Sequence, residues 1–193
     1  MKTFTRSDVL SWRPCHGAAG TRRIMRGLPR KMTALDVLRH EAATPADRLW
    51  CVLRSDVLSE RTMRLFAAWC ARTALDAGRA AGREPDPRSC AAVEIAERYA
   101  LGNADDRELR AAYAAACAAY AACAAAYACA AACAYAAYAD DADAADAAAR
   151  ALVCHSRAVA PGAADARAAC AACAAARSAQ VARLIQIIEE GEK

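Results

Sequence analysis

Hydrophobic and polar positions recur along the chain with the three-to-four-residue spacing of amphipathic helices. The clearest stretch is 59–79, where Met63, Phe66 and Trp69 mark one apolar stripe. No segment shows the strict alternation of a half-buried strand. The pattern therefore predicts an all-α fold, a single bundle of about six helices with a long central alanine-rich helix. Further helices are predicted over about 34–42, 44–54, 88–101 and 163–189.

Capping signals predict where these helices begin and end. Thr33 with Asp36 forms a capping-box pattern. Thr44 followed by Pro45 is typical of an N-cap and the first helical residue. Glycines are expected to end the helices that start at 59 and 88, because glycine adopts the left-handed conformation at a helix C-terminus. They are Gly78, Gly82 and Gly102.

An alanine-rich tract without charge runs from Ala111 through Ala139. Alanine has the highest helix propensity, so the tract predicts a helix. A membrane span is disfavoured because no Leu, Ile, Val or Phe occurs between Ala111 and Ala151. An ice-binding rod would need threonines, and none follows Thr73. A disordered tail would be more polar. We expect a helix buried in the middle of the bundle, interrupted near 140–143.

Tyrosines divide the tract at regular intervals. At 100° per residue they fall on one face of a continuous helix, while Cys129 and Cys133 fall on the opposite face. We expect each ring to pack and each hydroxyl to find a hydrogen-bond partner. The tyrosines are Tyr113, Tyr120, Tyr127, Tyr135 and Tyr138.

The N-terminal residues 1–31 carry most of the positive charge. They hold eight basic residues and one acid, Asp8, which gives these residues a net charge of +7. The formal net charge of the whole chain is +4, so residues 32–193 carry −3. Recurrent Pro and Gly predict a flexible basic arm, and Met32 is an alternative start of the chain. Trp12 between Arg6 and Arg13 is a weak signal for stacking on bases. We expect an all-α domain over 32–193 and no nucleic-acid partner.

Eleven cysteines are spread through helical patterns. We expect free, packing cysteines in a cytoplasmic protein, because a disulfide scaffold would be shorter and loop-rich. Cys170 and Cys173 have CxxC spacing but no second pair. A metal site built from Cys129, Cys133 and the Cys154-His155 pair is an alternative. No glycine-rich phosphate loop or catalytic motif occurs, so the sequence predicts no enzyme, no cofactor and no metal.

Two blocks resemble a known family: "RLFAAWCARTAL" (Arg64–Leu75) and "AAVEIAERYALGNADDRELRAAYAAA" (Ala91–Ala116). With the alanine tract and "QVARLIQII", they are similar to family number five of the predicted immunity proteins of bacterial polymorphic-toxin systems. Members also occur in phage and prophage genomes. The resemblance covers roughly 44–189. Ala68 stands where the family has its first cysteine, and Trp69 where it has an acid. The resemblance implies an all-α, non-catalytic protein that binds a cognate toxin.

The candidate partner-binding residues are Arg64 and Arg72, which lie about 80° apart on one helix and could address one acidic partner. The alternative is that they form salt bridges to Glu94 or Glu97. The alternative function is a scaffolding helical protein of phage or bacterial origin that forms a homo-oligomer. The third functional hypothesis is an enzyme or a metal-binding protein. No membrane partner is expected.

Overall fold

A computed structural model of the protein describes residues 2–14, 16–122 and 166–191. Over these residues the chain is helical apart from one two-stranded sheet, so the prediction of an all-α fold is confirmed. The elements in chain order are β1 (Thr3–Thr5), α1 (Arg6–Ser11), α2 (Gly17–Ile24), β2 (Lys31–Thr33), α3 (Ala34–Leu38), α4 (Pro45–Val52), α5 (Glu60–Ala80), α6 (Pro87–Ala100), α7 (Asp106–Ala122) and α8 (Ala166–Gly191).

Side-chain caps begin the helices at the predicted residues. The hydroxyl oxygen of Thr33 accepts a hydrogen bond from the Asp36 amide at 3.2 Å, and the Asp36 carboxylate accepts one from the Thr33 amide at 2.7 Å. The Thr44 hydroxyl caps α4 by accepting a hydrogen bond from the Asp47 amide at 3.2 Å, with Pro45 at the first helical position. Such caps satisfy amide groups that lack partners inside the helix, which is why the sequence signal is strong.

Helix α5 is terminated by Gly82, one turn after Gly78, the first glycine that the sequence offered as its end. Gly78 is buried inside the helix, so the prediction that it stops α5 is wrong. Gly82 has a φ of +77°, and the amide of Arg83 donates to the Gly78 carbonyl at 3.0 Å. This is a Schellman ending. A glycine within a helix costs only about 1 kcal/mol, so a single glycine does not by itself end a 21-residue helix. Gly102 ends α6 as predicted, with the same φ of +77°.

Helix α5 is the long central helix of the described bundle. Met63, Phe66 and Cys70 on α5 are fully buried. Helix α6 packs on one side of α5, and α8 packs against α5, α4 and α3 through a stripe that includes Leu184 and Ile188. The sequence placed the long central helix in the alanine-rich tract, and from residue 123 onward that tract lies outside the described part of the chain.

The N-terminal segment is folded, which corrects the prediction of a flexible arm over 1–31. Strand β1 pairs antiparallel with β2, with Phe4 opposite Met32. Phe4, Val9 and Leu28 are buried in the same core as α3 and α4. The boundary expected after residue 31 therefore falls inside β2. Periodicity missed this segment because its few core residues are spread over two short helices and a three-residue strand.

The start of the alanine-rich tract forms α7, which packs on α6 along one side. Leu109 and Ala116 are buried, whereas Tyr113 is 37% exposed. Over 106–116 the helix is therefore one-sided, and the prediction of burial on all sides does not hold there. The side chains of the other stripe tyrosines, and the expected interruption near 140–143, lie outside what the structure describes.

Candidate functional site: a groove between α5, α6 and α8

An open groove of about 920 Å³ lies between α5 and the C-terminal ends of α6 and α8. Helix α5 lines it with Arg61, Thr62, Leu65 and Trp69. These positions share one face of the helix, because steps of four residues return to nearly the same direction. The opposite stripe of α5 enters the core. The central helix thus supports the fold with one face and lines the groove with another.

The two other helices form the sides of the groove. Helix α6 contributes Glu97, and its C-cap residue Leu101 follows. The last two turns of α8 contribute Ile187 and Ile188 together with charged residues. Helix α8 also contributes Arg183, Glu190 and Gly191. The remaining lining residues are Lys2 and the segment before α5, Val57, Leu58 and Ser59.

Apolar side chains are presented along this groove. Leu101 is 51% exposed, and Leu65 and Trp69 are half-buried. The Trp69 ring stacks on fully buried Phe66, with centroids 6.4 Å apart and planes 21° apart. Together these side chains make the groove a candidate binding surface. Helical periodicity marks Leu101 only as an apolar position, so it gives no signal that this side chain is exposed.

Charges of both signs lie around the apolar surface. Lys2 donates from Nζ to the Ser55 carbonyl at 2.7 Å, which holds it at one edge. Arg183 lies 3.9 Å from the Glu190 carboxylate. Arg61 is exposed on α5. The surroundings of the groove are thus close to electrically balanced, so a strongly basic or acidic partner gains little from them.

Arg72 adjoins the groove through an ion pair with a lining residue. Its Nε donates to Oε1 of Glu97 at 3.0 Å and its Nη2 to Oε2 at 2.7 Å. This two-pronged bond raises the pKa of Arg72. The alternative prediction of a salt bridge to Glu97 is therefore confirmed for Arg72. The side chain remains 41% exposed, so a partner can still reach it.

Arg64 lies in the interior. It is 3% exposed, and its guanidinium carbon is 4.6 Å from the centroid of the Tyr99 ring. The Tyr99 hydroxyl donates to Asp106 at 2.7 Å, and this bond raises the Tyr99 pKa. Arg64 thus belongs to a contact that joins α5 to α6 and α7. The structure does not present it at the surface with Arg72, which corrects the predicted pair of partner-binding arginines.

A second, small cavity of about 40 Å³ lies between the N-terminal segment and α4. His16 and Asp47 line it and are joined by a 2.7 Å contact from Nε2 to Oδ1. His40 contacts the Ile24 carbonyl at 2.7 Å. Burial raises the Asp47 pKa, but hydrogen bonds from Thr44 and His16 outweigh it, so the net shift is downward. These polar groups hold the N-terminal segment against α4.

The buried cysteines are poorly suited to nucleophilic chemistry. Burial raises the pKa of Cys51 to about 12, and burial raises that of Cys70 further, with Gln180 donating to its sulfur at 4.0 Å. A thiol is nucleophilic as the thiolate. Among the described residues, no group of three or more His, Cys, Asp or Glu side chains is placed to hold a metal ion. The alternative cysteine–histidine site lies outside those residues.

No family model, curated protein or solved structure matches the chain. Within the described ranges, no helix has both the length and the apolar character needed to cross a membrane.

Proposed function

We propose that the chain is an immunity protein that binds a cognate protein toxin in the cytoplasm and neutralises it without catalysis. The observation that carries this proposal is the open groove, in which Leu101 and Trp69 form an apolar surface with charged residues around it. The resemblance of Arg64–Leu75 and Ala91–Ala116 to predicted immunity proteins supplies the class of partner.

The groove has the composition of a protein-binding surface. Protein interfaces combine an apolar, aromatic centre with a polar rim, and a few central residues contribute most of the binding energy. Trp69 and Leu101 would be those central residues. The balanced charge at the rim favours a toxin segment that inserts apolar side chains and carries charges of both signs on either side of them.

Arg72 would take part through exchange of partners. Its guanidinium is engaged by Glu97, which itself lines the groove. A toxin carboxylate approaching this end would replace Glu97 on Arg72. Because the pair is partly exposed, breaking it costs little, at most about 1 kcal/mol. The two-donor face of Arg72 then recognises a carboxylate with defined geometry.

The described nucleophiles support a binding role over a catalytic one. Cys51 and Cys70 are held protonated by burial, and the two histidines of the small cavity form contacts that position backbone and helix cap. These groups stabilise the fold. A stoichiometric inhibitor needs nothing beyond a rigid surface of this kind.

A growth-rescue assay tests the proposal. Each open reading frame beside the gene is expressed in a susceptible bacterium with and without the full chain. We expect one neighbour to stop growth and the chain to restore it. If no neighbour is toxic, or if none of the toxic neighbours is neutralised, the immunity function is rejected and the scaffolding alternative, tested by the oligomeric state in solution, takes its place.

Substitutions in the groove identify the binding surface. Leu101→Asp places a charge on the exposed apolar surface, and we expect toxin affinity to fall at least about tenfold with loss of rescue. Ala91→Asp adds the same charge on an exposed position of α6 that does not line the groove. We expect this control to keep full rescue. Equal effects of both substitutions would place the binding surface elsewhere.

A further inference from the structure

Helix α2 turns one face to the core and the other to solvent. Thr21, Met25 and Leu28 are buried on the inner side. The outer side is exposed and continues to Arg26, two residues past the end of the helix, because 18, 22 and 26 are four residues apart. We call this outer side the α2 basic face; it consists of Ala18, Ala19, Arg22, Arg23 and Arg26.

The charge of this face is not balanced locally. Residues 9–35 hold six basic residues and no Asp or Glu. Several surface arginines elsewhere are paired with nearby acids, as Arg88 is with Asp86 at 2.6 Å and Arg98 with Glu108 at 3.2 Å. Within the described part of the chain, no hydrogen bond or ion pair joins any of those six cations to an acid; they are Arg13, Arg22, Arg23, Arg26, Arg30 and Lys31.

The acids that fold near this segment are mostly committed to other contacts. Asp8 and Asp36 accept hydrogen bonds in the capping boxes of α1 and α3. Asp47 is bonded to Thr44 and His16. The connection between α3 and α4 adds one exposed acid, Glu41. Counted over the described residues, positive charge is therefore in excess around this face, which favours the approach of anions.

We propose that the α2 basic face binds the phosphate backbone of double-stranded nucleic acid without reading its base sequence. Arginine pairs with phosphate through two parallel hydrogen bonds, which makes it well suited to backbone contacts. Ala18 and Ala19 leave room for a duplex to approach the helix closely. This inference goes beyond the proposed toxin binding and uses a different surface.

An acidic protein is the less suitable occupant, because a stable protein interface needs apolar or aromatic anchors. Within the described residues, the exposed large hydrophobic side chains are Leu101 and Tyr113, and neither lies in residues 2–33. Residues 2–33 also contain no Asn or Gln, the side chains that pair with adenine edges. The face thus offers guanidinium groups for phosphates and no amide side chain for adenine edges.

Single-stranded nucleic acid is disfavoured by the position of Trp12. Its ring packs on Phe4 with centroids 5.6 Å apart, and the Arg54 guanidinium lies 4.5 Å from its centroid. The ring is therefore not free to stack on bases, which is what binding to a single strand requires. This also replaces the sequence-based interpretation of Trp12. No nucleic-acid partner was expected from the sequence, because the cations were assigned to a flexible arm.

The test measures binding of the full chain to two unrelated fluorescent 20-base-pair DNA duplexes as salt is raised. We expect equal affinity for the two duplexes. Each neutralised phosphate contributes about −0.9 to the slope of log affinity against log salt, so three to five contacts give a slope of about −3 to −5. No binding at low salt, or a slope near zero, overturns the proposal.

Matched variants separate the face from overall charge. Arg22→Gln/Arg23→Gln/Arg26→Gln should weaken binding at least about tenfold. Arg83→Gln/Arg107→Gln/Arg110→Gln removes the same charge from exposed arginines elsewhere and should change affinity less than about twofold. Equal losses in both variants overturn the proposal. So does tighter binding to poly-glutamate or to phosphatidylserine vesicles, since it would identify an acidic protein or a membrane as the occupant. The toxin-rescue result is independent of every outcome here.

Discussion

The groove and the α2 basic face present side chains of different chemistry. The groove has an apolar surface formed by Leu101 and Trp69, with charges of both signs around it. The α2 basic face has exposed arginines beside small alanines and no large exposed apolar side chain. Burial of apolar surface gives binding strength that salt hardly weakens, whereas uncompensated charge gives long-range attraction that salt screens. One chain thus presents two surfaces suited to different kinds of partner.

Both surfaces lie over one hydrophobic core. The largest effect we expect is the loss of stability when a large side chain of this core is removed. Phe66 lies beneath the groove and Phe4 beneath the N-terminal segment, and both belong to the same buried cluster. Phe66→Ala and Phe4→Ala should each destabilise the protein by about 3–5 kcal/mol. Urea unfolding followed by circular dichroism and by tryptophan fluorescence should give coincident transitions. Separate transitions for Phe4→Ala would mean that the N-terminal segment folds as its own unit.

The next largest effect is expected on the rate at which buried cysteines are alkylated, which reports local opening of the fold. Burial raises the pKa of Cys51 to about 12 from an ordinary 9.0. At pH 8 the thiolate fraction is therefore about a thousandfold lower than in the unfolded chain, because each pH unit is tenfold. Iodoacetamide labelling followed by mass spectrometry should be slowed accordingly.

Cys51 lines the small cavity beside the N-terminal segment, whereas Cys70 contacts Gln180 of α8. Comparing the two labelling rates shows whether the two regions open together. Half-buried Cys90 serves as the reactive control in the same sample. Fast labelling of Cys51 in the native protein would contradict the packing of the N-terminal segment on α4.

A smaller effect is expected from acid. The pKa of Asp47 is lowered in the folded protein from an ordinary 3.8, so its contribution is present at neutral pH and is lost as pH falls below that value. Asp47→Asn should reduce stability by about 1 kcal/mol at pH 7, the usual worth of a helix-capping contact. The difference from wild type should shrink toward pH 3 in thermal unfolding scans. Asp56→Asn, an exposed acid outside this contact, should show no such convergence.

The smallest effect we expect is the interaction free energy between Arg72 and Glu97 in the free protein. Both side chains are partly exposed, at 41% and 32%, so solvent screens their attraction. A double-mutant cycle with Arg72→Met and Glu97→Gln should give a coupling of at most about 1 kcal/mol in the free protein. A larger coupling would mean that the pair is structural and not available for exchange with a partner carboxylate.

Helix ends marked by capping residues could be predicted from the sequence. Whether a given helical side chain is buried or exposed between neighbouring helices could not. Thr33, Thr44 and Gly102 act through hydrogen bonds and backbone conformations within a few residues, so they are legible in one sequence. The exposure of Leu101 could not be predicted, because a period does not show what a neighbouring helix covers. Arg64 and Arg72 looked equivalent on one helix, yet the first lies against Tyr99 inside and the second pairs with Glu97 near the surface.

The sequence by itself determined the helical class of this protein, the starts of its main helices and the concentration of positive charge before residue 32. These follow from local propensity, capping and composition, which act over a few residues. Tertiary structure alone decided that residues 2–33 join the core, that three arginines align on one face of α2, and that α5, α6 and α8 leave a groove between them. Each of these depends on which distant residues meet, and apolar burial is non-directional, so a local pattern does not specify it.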